Sequence, residues 1–348
     1  METFWLREET KKNEFRRAIV PADCKKLIDA GHKVIVEDWK DSIIPIEDYA
    51  QQGCEVVASG SWVDSDSKNI IVGLKALPDN ISFFKHRHIF FAHVFKEQDG
   101  YREILNKFKT GDGKIIDLEY MVNENGRRVC AFGYWAGYVG AALGALFYFN
   151  KTDEVLSKLK SLKRFKIKSD LIDFVKSYST INNHEALVIG CMGRSGSGAT
   201  DCLNELGWPT TGWDQKDTVS PGPYRDILNY HLFINCVLAL RPSPPFLTEE
   251  LIESSNMNLN MISDVSCDPD SDCNMIPLYS KASTLDNPLI NVTDIPVPLS
   301  MVAIDNLPSI LPKESSEDFS DQLHKHLLDY SEESGPINKA LAVYSSLV

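Results

Sequence analysis

The stretch ALVIGCMGRSGSGATDCLNELG, residues 186–207, decides the fold class of the second half of the chain. Apolar residues, a glycine-rich turn and an amphipathic segment follow one another, which is the pattern of a strand, a tight loop and a helix. Gly190, Gly193 and Gly196 are spaced G-x-x-G-x-x-G, close to but not identical with the usual dinucleotide-binding pattern. Because backbone N–H groups at a helix start bind pyrophosphate, we predict a phosphate-binding loop here.

A carboxylate follows this loop where a nucleotide ribose would need one. Asp214 ends the next predicted strand, TTGWD, 18 residues after Gly196. An acid at this position accepts hydrogen bonds from ribose hydroxyls and disfavours a 2′-phosphate. Arg194, inside the loop, would favour a 2′-phosphate and leaves NADP as an alternative. The loop and the acid together predict NAD as the cofactor.

Strand-like and helix-like segments alternate along the rest of the chain. The first half has the strand patterns FWLRE, HKVIVE, NIIVGL, HIFFAH and KIIDLE and the helix patterns PADCKKLIDAG and QDGYREILNKFKTG. KTDEVLSKLKSLKRFKIKSD is one charged helical stretch, and the strand patterns EALVIG, TTGWD, HLFINCVLAL, MNLNMISDVS and LSMVAID follow it. Two helices, broken at Gly335-Pro336, end the chain. The predicted fold class is α/β, with two Rossmann-like domains whose parallel doubly wound sheets flank a cleft.

The length of 348 residues suits two domains. We predict a substrate domain with the acid–base residues at 1–131 plus 314–348, and an NAD-binding Rossmann domain at 132–313. The last helices return to the first domain because the chain crosses back after Asp305.

Composition and charge exclude several classes of partner. The net charge of −13 argues against nucleic acid and against an anionic membrane surface. The eight cysteines form no C-x-x-C pair, so we expect reduced thiols in an intracellular protein. His86 and His88 lack a supporting acidic or cysteine ligand, and no metal is expected.

One uncharged stretch, residues 129–149, is about long enough to span a bilayer. Gly133, Gly137, Gly140 and Gly144 recur within it at helical spacing. This spacing favours a buried helix that other backbone approaches closely, with a membrane span as the alternative.

Three chemically active side chains follow strand ends in the first half. Lys75 follows NIIVGL, His93 follows HIFFA, and Glu119 follows KIIDL. The carboxyl ends of parallel strands share one edge, where ligands bind. Each residue alone is better explained as an ordinary loop residue, and it is the coincidence of the three that favours an acid–base site. Arg16 has the fork geometry for a substrate carboxylate, with a surface salt bridge as the simpler alternative.

Several blocks between about residue 16 and residue 320 resemble one enzyme family. FRRAIVP, GLK and the AH before FKEQ are shared with alanine dehydrogenases and with the transhydrogenase NAD-binding subunit. GRRVCAFG and IDNLPSILPKES are more specific, and the set resembles the NAD-dependent, lysine-forming saccharopine dehydrogenases of fungal lysine biosynthesis. The resemblance implies that saccharopine, NAD and water give lysine, 2-oxoglutarate and NADH.

The resemblance also implies roles for individual residues. Lys75 would take the proton from the secondary amine, His93 would activate water on the resulting imine, and Glu119 would tune Lys75. Substrate carboxylates would be held by Arg16 and Gln98, with Phe132 nearby. The NAD would be surrounded by Arg127, Gly190, Gly193, Arg194, Gly196, Asp214, Thr218, Leu238, Val265, Ile304, Asp305, Asn306 and Leu307. Leu238 departs from the family, which has an aromatic residue there, so that contact stays open.

Two other functions remain open from the sequence. An alanine dehydrogenase would use the same lysine and histidine on a small amino acid, whereas a nucleotide sensor would have no need of them. We expect small-molecule substrates, neither nucleic acid nor membrane as a partner, and a monomer. We expect a cytoplasmic location; a peroxisomal one is the alternative, although the C-terminal SSLV does not match the S-K-L signal.

Overall fold

The chain forms two compact units. The computed structural model describes residues 1–94, 100–180, 184–239, 241–254, 256–293 and 298–348. The first unit consists of residues 1–131 and 312–348, and the second of residues 132–311. The chain therefore leaves the first unit once and returns to it for its last two helices.

The secondary structure alternates between strands and helices in both units. The strands are β1 (Thr3–Leu6), β2 (Lys33–Glu37), β3 (Glu55–Val57), β4 (Ile70–Val72), β5 (Arg87–Phe90), β6 (Lys114–Asp117), β7 (Ala186–Ile189), β8 (Thr210–Trp213), β9 (Leu232–Asn235), β10 (Met261–Asp264), β11 (Ile290–Thr293) and β12 (Leu299–Val302). The helices are α1 (Pro21–Asp29), α2 (Ile46–Gln51), α3 (Tyr101–Gly111), α4 (Gly133–Phe149), α5 (Asp153–Leu162), α6 (Lys168–Ser177), α7 (Arg194–Glu205), α8 (Glu249–Glu253), α9 (Pro312–Leu328) and α10 (Gly335–Ser345).

The first unit has a parallel sheet with the strand order β3-β2-β1-β4-β5-β6. The winding direction reverses between β1 and β4, and ligands of open α/β sheets bind beyond the strand ends at such a point. The second unit has the order β11-β12-β10-β9-β7-β8 and reverses between β7 and β9. Its pairs are parallel except for β11, which runs antiparallel to β12 at the edge. The predicted α/β class with two Rossmann-like sheets is confirmed.

The strands predicted from the sequence are all present, and the structure adds β3 and β11. The charged stretch 151–170 was predicted as one helical segment, but it contains the separate helices α5 and the start of α6. Lys163 ends α5 because its backbone is left-handed, with φ of 58°. The helix predicted at QDGYREILNKFKTG is α3, and its first residues lie outside the described ranges.

The uncharged stretch 129–149 forms α4, which is buried in the second unit along most of its length. A Cβ atom on Gly137 would lie 1.7 Å from the Ser195 carbonyl oxygen on α7, and one on Gly140 would lie 2.6 Å from a methyl of Val265. Close approach of other backbone is therefore confirmed. No helix in the described ranges is long and apolar enough to cross a membrane.

His86 and His88 lie in an aromatic cluster of the first unit. The ring of His88 packs edge-on against Trp62, Phe84 and Phe108, with centroid distances of 5.0, 5.5 and 5.2 Å. Burial lowers the pKa of His86 to about 4 and the pKa of His88 well below its usual value. Both rings are therefore neutral at pH 7, and no group of three metal-ligating side chains occurs among the described residues.

Candidate functional site

The three predicted acid–base residues follow neighbouring strands of the first sheet. Lys75, His93 and Glu119 lie just beyond β4, β5 and β6, which pair in that order and in parallel. Backbone pairing continues past the strands, since the N–H of Phe91 donates to the Leu74 carbonyl at 3.1 Å. Each of the three side chains is half-buried. The carboxyl edge of this sheet therefore carries a lysine, a histidine and a carboxylate together.

The backbone of Lys75 is held by two residues that the sequence did not single out. The buried carboxylate of Glu9 accepts the N–H groups of Leu74 and Lys75 at 2.6 and 2.9 Å. The guanidinium of Arg7 donates to the carbonyl of Lys75 and lies 3.4 Å from the Glu9 carboxylate. Burial raises the pKa of Glu9, and Arg7 and the two N–H donors oppose that rise. Arg7 and Glu9 thus bind both backbone polar groups of Lys75.

His93 has an unusual backbone conformation. Its φ of 55° lies in the left-handed region, which non-glycine residues occupy at a cost and often at functional sites. Its ring stacks on Phe91 with a centroid distance of 6.3 Å and an interplanar angle of 22°. Phe91 in turn packs against Phe319 of α9 at 5.9 Å. The orientation of the imidazole is therefore supported by the packing of Phe91 between His93 and Phe319.

Arg16 forms a bidentate ion pair with Glu14. Its Nε and Nη2 atoms donate to the two carboxylate oxygens of Glu14, each at 2.7 Å, and both side chains are buried. Burial would raise the pKa of Glu14, but the charges of Arg16 and Lys75 lower it to about 2. Glu14, which the sequence did not single out, is therefore a carboxylate whose charge acts on Lys75.

Glu119 also has a cationic neighbour. Nη1 of Arg128 lies 2.8 Å from its carboxylate, and its own N–H donates to Asp117 at 2.9 Å. Arg128 was missed, whereas the adjacent Arg127, predicted to contact the cofactor, is exposed in a turn of the first unit. Gln98, predicted to bind a substrate carboxylate, lies outside the described residues.

The glycine loop of the second unit joins β7 to α7 where the strand order reverses. The N–H groups of Gly190 and Cys191 donate to the Trp213 carbonyl at 2.8 and 3.1 Å, which ties the loop to β8. A Cβ atom on Gly196 would lie 2.1 Å from the Gly190 carbonyl oxygen, so this turn requires glycine. Gly193 precedes the first residue of α7. The first N–H groups of that helix have no partner inside it and can bind an anion.

Asp214 connects the end of β8 to the same loop. Its carboxylate accepts the N–H of Met192 at 3.0 Å and the N–H of Gln215 at 2.8 Å, one on each oxygen. The hydroxyl of Thr218 donates to the Asp214 carbonyl at 3.3 Å. The carboxylate is therefore fixed beside the loop.

Apart from Arg127, the remaining predicted cofactor residues lie in the second unit, as does Phe132, which was predicted to lie near the substrate. Val265 follows β10, and its N–H donates to the Asn235 carbonyl at 3.0 Å. Leu238, after β9, is 47% exposed. Phe132 is the residue before α4, and Arg194 is the first residue of α7. The segment after β12 contains Ile304, Asp305, Asn306 and Leu307, of which the first and last are buried.

Comparison with known proteins gives consistent results. The family model of the alanine dehydrogenase/PNT N-terminal domain matches residues 5–139. The chain is 39% identical over 336 residues to the saccharopine dehydrogenase (NAD(+), L-lysine-forming) of Yarrowia lipolytica, covering 93% of this chain and 90% of that protein. It is 38% identical over 346 residues to the protein of the same name from Candida albicans, covering 93% and 91%.

Solved structures share the fold at lower identity. An L-alanine dehydrogenase matches with a TM-score of 0.67 at 14% identity, over 99% of this chain and 93% of that chain. A transhydrogenase from Sinorhizobium meliloti matches with a TM-score of 0.67 at 16% identity, over 97% of both chains. These structures establish the fold, and the two fungal relatives establish the family. The chain belongs to the NAD(+)-dependent, L-lysine-forming saccharopine dehydrogenase family.

Proposed function

We propose that this chain oxidises saccharopine with NAD and water and releases L-lysine, 2-oxoglutarate and NADH. The observation that carries the proposal is the placement of Lys75, His93 and Glu119 after three neighbouring parallel strands. Membership of the family supports the choice of substrate. A nucleotide sensor would have no need of this set.

The second unit has the features that an NAD site needs. The N–H groups at the start of α7 are proposed to bind the pyrophosphate. Asp214 uses one lone pair on each oxygen for the backbone N–H groups of Met192 and Gln215, and the remaining lone pairs can accept the ribose hydroxyls. Its charge would repel a 2′-phosphate, which favours NAD over NADP. NAD, when bound, accepts the hydride from the carbon next to the secondary amine. Arg127 and the other predicted cofactor contacts complete the proposed surroundings of NAD, and Phe132 is proposed to lie near the substrate.

Two proton carriers are needed because protons move at two different atoms. Lys75 is proposed to take the proton from the secondary amine nitrogen as the hydride leaves. The resulting imine is attacked by water, and His93 takes the proton of that water and returns one to the departing amine of lysine. The left-handed backbone of His93 and its stacking on Phe91 support a fixed position for this transfer.

The carboxylates around Lys75 are proposed to set its proton affinity. Glu14 interacts with the charge of Lys75, and Glu119 is proposed to act in the same sense while it is paired with Arg128. Arg16, oriented by Glu14, and Gln98 are proposed to hold carboxylates of the substrate. We further propose that the protein acts as a monomer in the cytoplasm.

The test is the absorbance of NADH after purified protein is mixed with NAD and either saccharopine or alanine. We expect a signal with saccharopine, a much weaker one when NADP replaces NAD, and none with alanine. A signal with alanine but not with saccharopine would assign the chain to the alanine dehydrogenase reaction. Silence with both substrates, together with tight NAD binding, would favour a sensor.

A further inference from the structure

The backbone pairing between β1 and β4 ends three residues before Lys75. The N–H of Arg7 donates to the Val72 carbonyl at 3.1 Å. Beyond this bond, the side chains of Arg7 and Glu9 make the hydrogen bonds that the backbone of β1 would otherwise make. The carboxylate of Glu9 accepts the N–H groups of Leu74 and Lys75, as a neighbouring carbonyl would. The guanidinium of Arg7 donates to the Lys75 carbonyl, as a neighbouring N–H would. On its β1 side the segment before Lys75 is therefore held by side chains, while backbone hydrogen bonds of Gly73 and Leu74 continue on its β5 side.

This arrangement is built into the core. Arg7 is 2% exposed and Glu9 is 6% exposed. Gly73 makes room for it, because a Cβ atom there would lie 2.5 Å from Nε of Arg7. The same guanidinium donates to the Glu8 carbonyl at 2.7 Å. A buried charged pair is costly unless its hydrogen bonds are satisfied, and here they are satisfied by the backbone around Lys75.

We propose that Arg7 and Glu9 are positioning residues for Lys75, which they hold through both of its backbone polar groups so that its amine reaches the substrate nitrogen in one position. This inference rests on the proposed function, in which Lys75 is the base. A lysine side chain turns about four bonds, so a small displacement of its backbone becomes a large one at the amine. Proton transfer is sensitive to such displacements.

The two residues also carry opposite charges near Lys75. Among the described residues, Glu14 interacts with the charge of Lys75, His93 and Glu119 follow the neighbouring strands, and Arg128 is paired with Glu119. Loss of the Glu9 charge leaves the cation of Arg7 uncompensated, which disfavours protonated Lys75. Loss of the Arg7 charge has the opposite effect.

The experiment measures kcat, KM for saccharopine, KM for NAD and the pH profile of kcat/KM in the full-length protein. Glu9→Gln keeps the shape of the side chain but replaces one acceptor oxygen with an N–H₂ group that faces the backbone donors. Arg7→Gln removes the positive charge. Arg7→Lys keeps the positive charge but lacks the branched guanidinium. Asp23→Asn is the matched control, because this buried carboxylate pairs with Lys26 and His324 far along the chain from the Lys75 segment. The melting temperature is recorded for each protein.

We expect kcat to fall roughly tenfold to a hundredfold in Glu9→Gln and Arg7→Gln, as a misplaced catalytic group would produce, with KM for NAD nearly unchanged. The part of the kcat/KM pH profile that reports deprotonation of Lys75, called the lysine limb, moves to lower pH in Glu9→Gln and to higher pH in Arg7→Gln. In Arg7→Lys we expect the lysine limb at its wild-type pH but a lowered kcat. In Asp23→Asn we expect a lower melting temperature, with kcat and the lysine limb unchanged.

Wild-type kcat and pH limb in both Glu9→Gln and Arg7→Gln would overturn the inference. A shift of both limbs in the same direction would also overturn it, since that indicates general loosening. If Glu9→Gln does not fold, the pair of Arg7 variants decides. An inactive wild-type protein would count against the proposed function instead, and the backbone contacts would then be tested by hydrogen exchange at Lys75, which we expect to be faster in Arg7→Lys.

Discussion

The two units bury different kinds of polar side chain. Among the described residues, the buried Arg, Glu and His side chains all belong to the first unit, namely Arg7, Glu9, Glu14, Arg16, Arg17, Glu37, His86, His88 and His324. The buried polar side chains of the second unit are Asn235, Asp264 and the serines at 263, 283, 300 and 309. The first unit is thus held internally by titratable groups and the second mainly by neutral ones.

The difference is clearest at the carboxyl edges of the two sheets. In the first, Glu9 and Arg7 hold the end of β4. In the second, Asp264 accepts Asn235, Ser266 and Tyr279 at 2.9, 2.7 and 2.8 Å, while glycines let α4, the loop and α7 touch backbone to backbone. Buried charge sets protonation states, whereas glycine contact sets backbone position. One edge therefore suits proton transfer, and the other suits binding by N–H groups.

The largest effect is expected when the two proposed proton carriers at the carboxyl edge of the first sheet are replaced. In the double variant Lys75→Met with His93→Gln, we expect turnover to fall by at least about a thousandfold, since each acid–base group contributes on the order of a hundredfold or more. NAD affinity stays within about twofold by this reasoning, because the glycine loop belongs to the other unit. Initial rates and NAD titration measure the two. Lys33→Met, which removes an exposed lysine paired with Glu55, is the control; unchanged turnover in the double variant would refute the acid–base assignment.

The next effect disturbs the glycine contact of the second unit. Gly137→Ala would place a Cβ atom 1.7 Å from the Ser195 carbonyl oxygen, and this backbone atom has no rotamer with which to move away. We expect a loss of about 3 kcal/mol or more in the free energy of unfolding. Urea unfolding measures the change in this free energy, and hydrogen exchange in β7 and β9 shows whether the second unit is the part that is destabilised.

Gly133→Ala on the same helix provides the matched comparison. Its nearest neighbour would be a side-chain Cβ at 3.1 Å, so we expect a change within about 1 kcal/mol. Equal losses in the two variants would mean that the helix tolerates no alanine for reasons other than the contact with α7.

The smallest expected effect is a loss of stability of the first unit as the pH falls. The pKa of His86 is about 4 in the folded state because of burial, below its ordinary value of 6.5. The unfolded chain therefore binds more protons between these values, so stability is complete above pH 6.5 and is lost as the pH falls towards 4. Between pH 7 and pH 5, we expect His86 to account for a loss of about 2 kcal/mol.

Hydrogen exchange in β5 of wild type and His86→Gln measures this pH dependence. Glutamine can keep a hydrogen bond to Ser65, which His86 contacts at 3.1 Å, but it does not titrate. The raised pKa of Glu9 acts in the opposite direction in both proteins and cancels in the comparison. An identical pH slope in the two proteins would show that His86 is not the group concerned, and a matching slope in β9 would remove the contrast between the units.

The sequence was sufficient for the features that repeat locally. Apolar runs and turn residues located the predicted strands, and the rule that parallel strand ends share an edge was enough to group Lys75, His93 and Glu119. β3 was missed because its residues are largely exposed, and β11 because it is a short antiparallel edge strand. Neither has the apolar run of a buried parallel strand.

The contacts that hold the site could not be predicted in the same way. Glu9 is more than sixty residues from Lys75 in sequence, so its partner follows only from the order of the strands. The one available signal was an acidic and basic run, REE, directly after a buried strand, where charge is expected only if it is paired. Arg128 gave no signal, since its neighbour Arg127 has the same residue type.

The discontinuous first unit has a consequence for synthesis on the ribosome. The N–H groups of Arg17 and Val20 donate to the hydroxyls of Ser316 and Ser320 on α9, both at 2.9 Å. These partners are translated almost three hundred residues later, after the whole second unit. A nascent chain can therefore complete the second unit first. Until α9 is made, the N–H groups of Arg17 and Val20 in the first 131 residues lack their partners. Termination directly before α9 would leave a complete second unit joined to a first unit in which the N–H groups of Arg17 and Val20 lack their serine partners, so the first unit is finished only when the last helices are made.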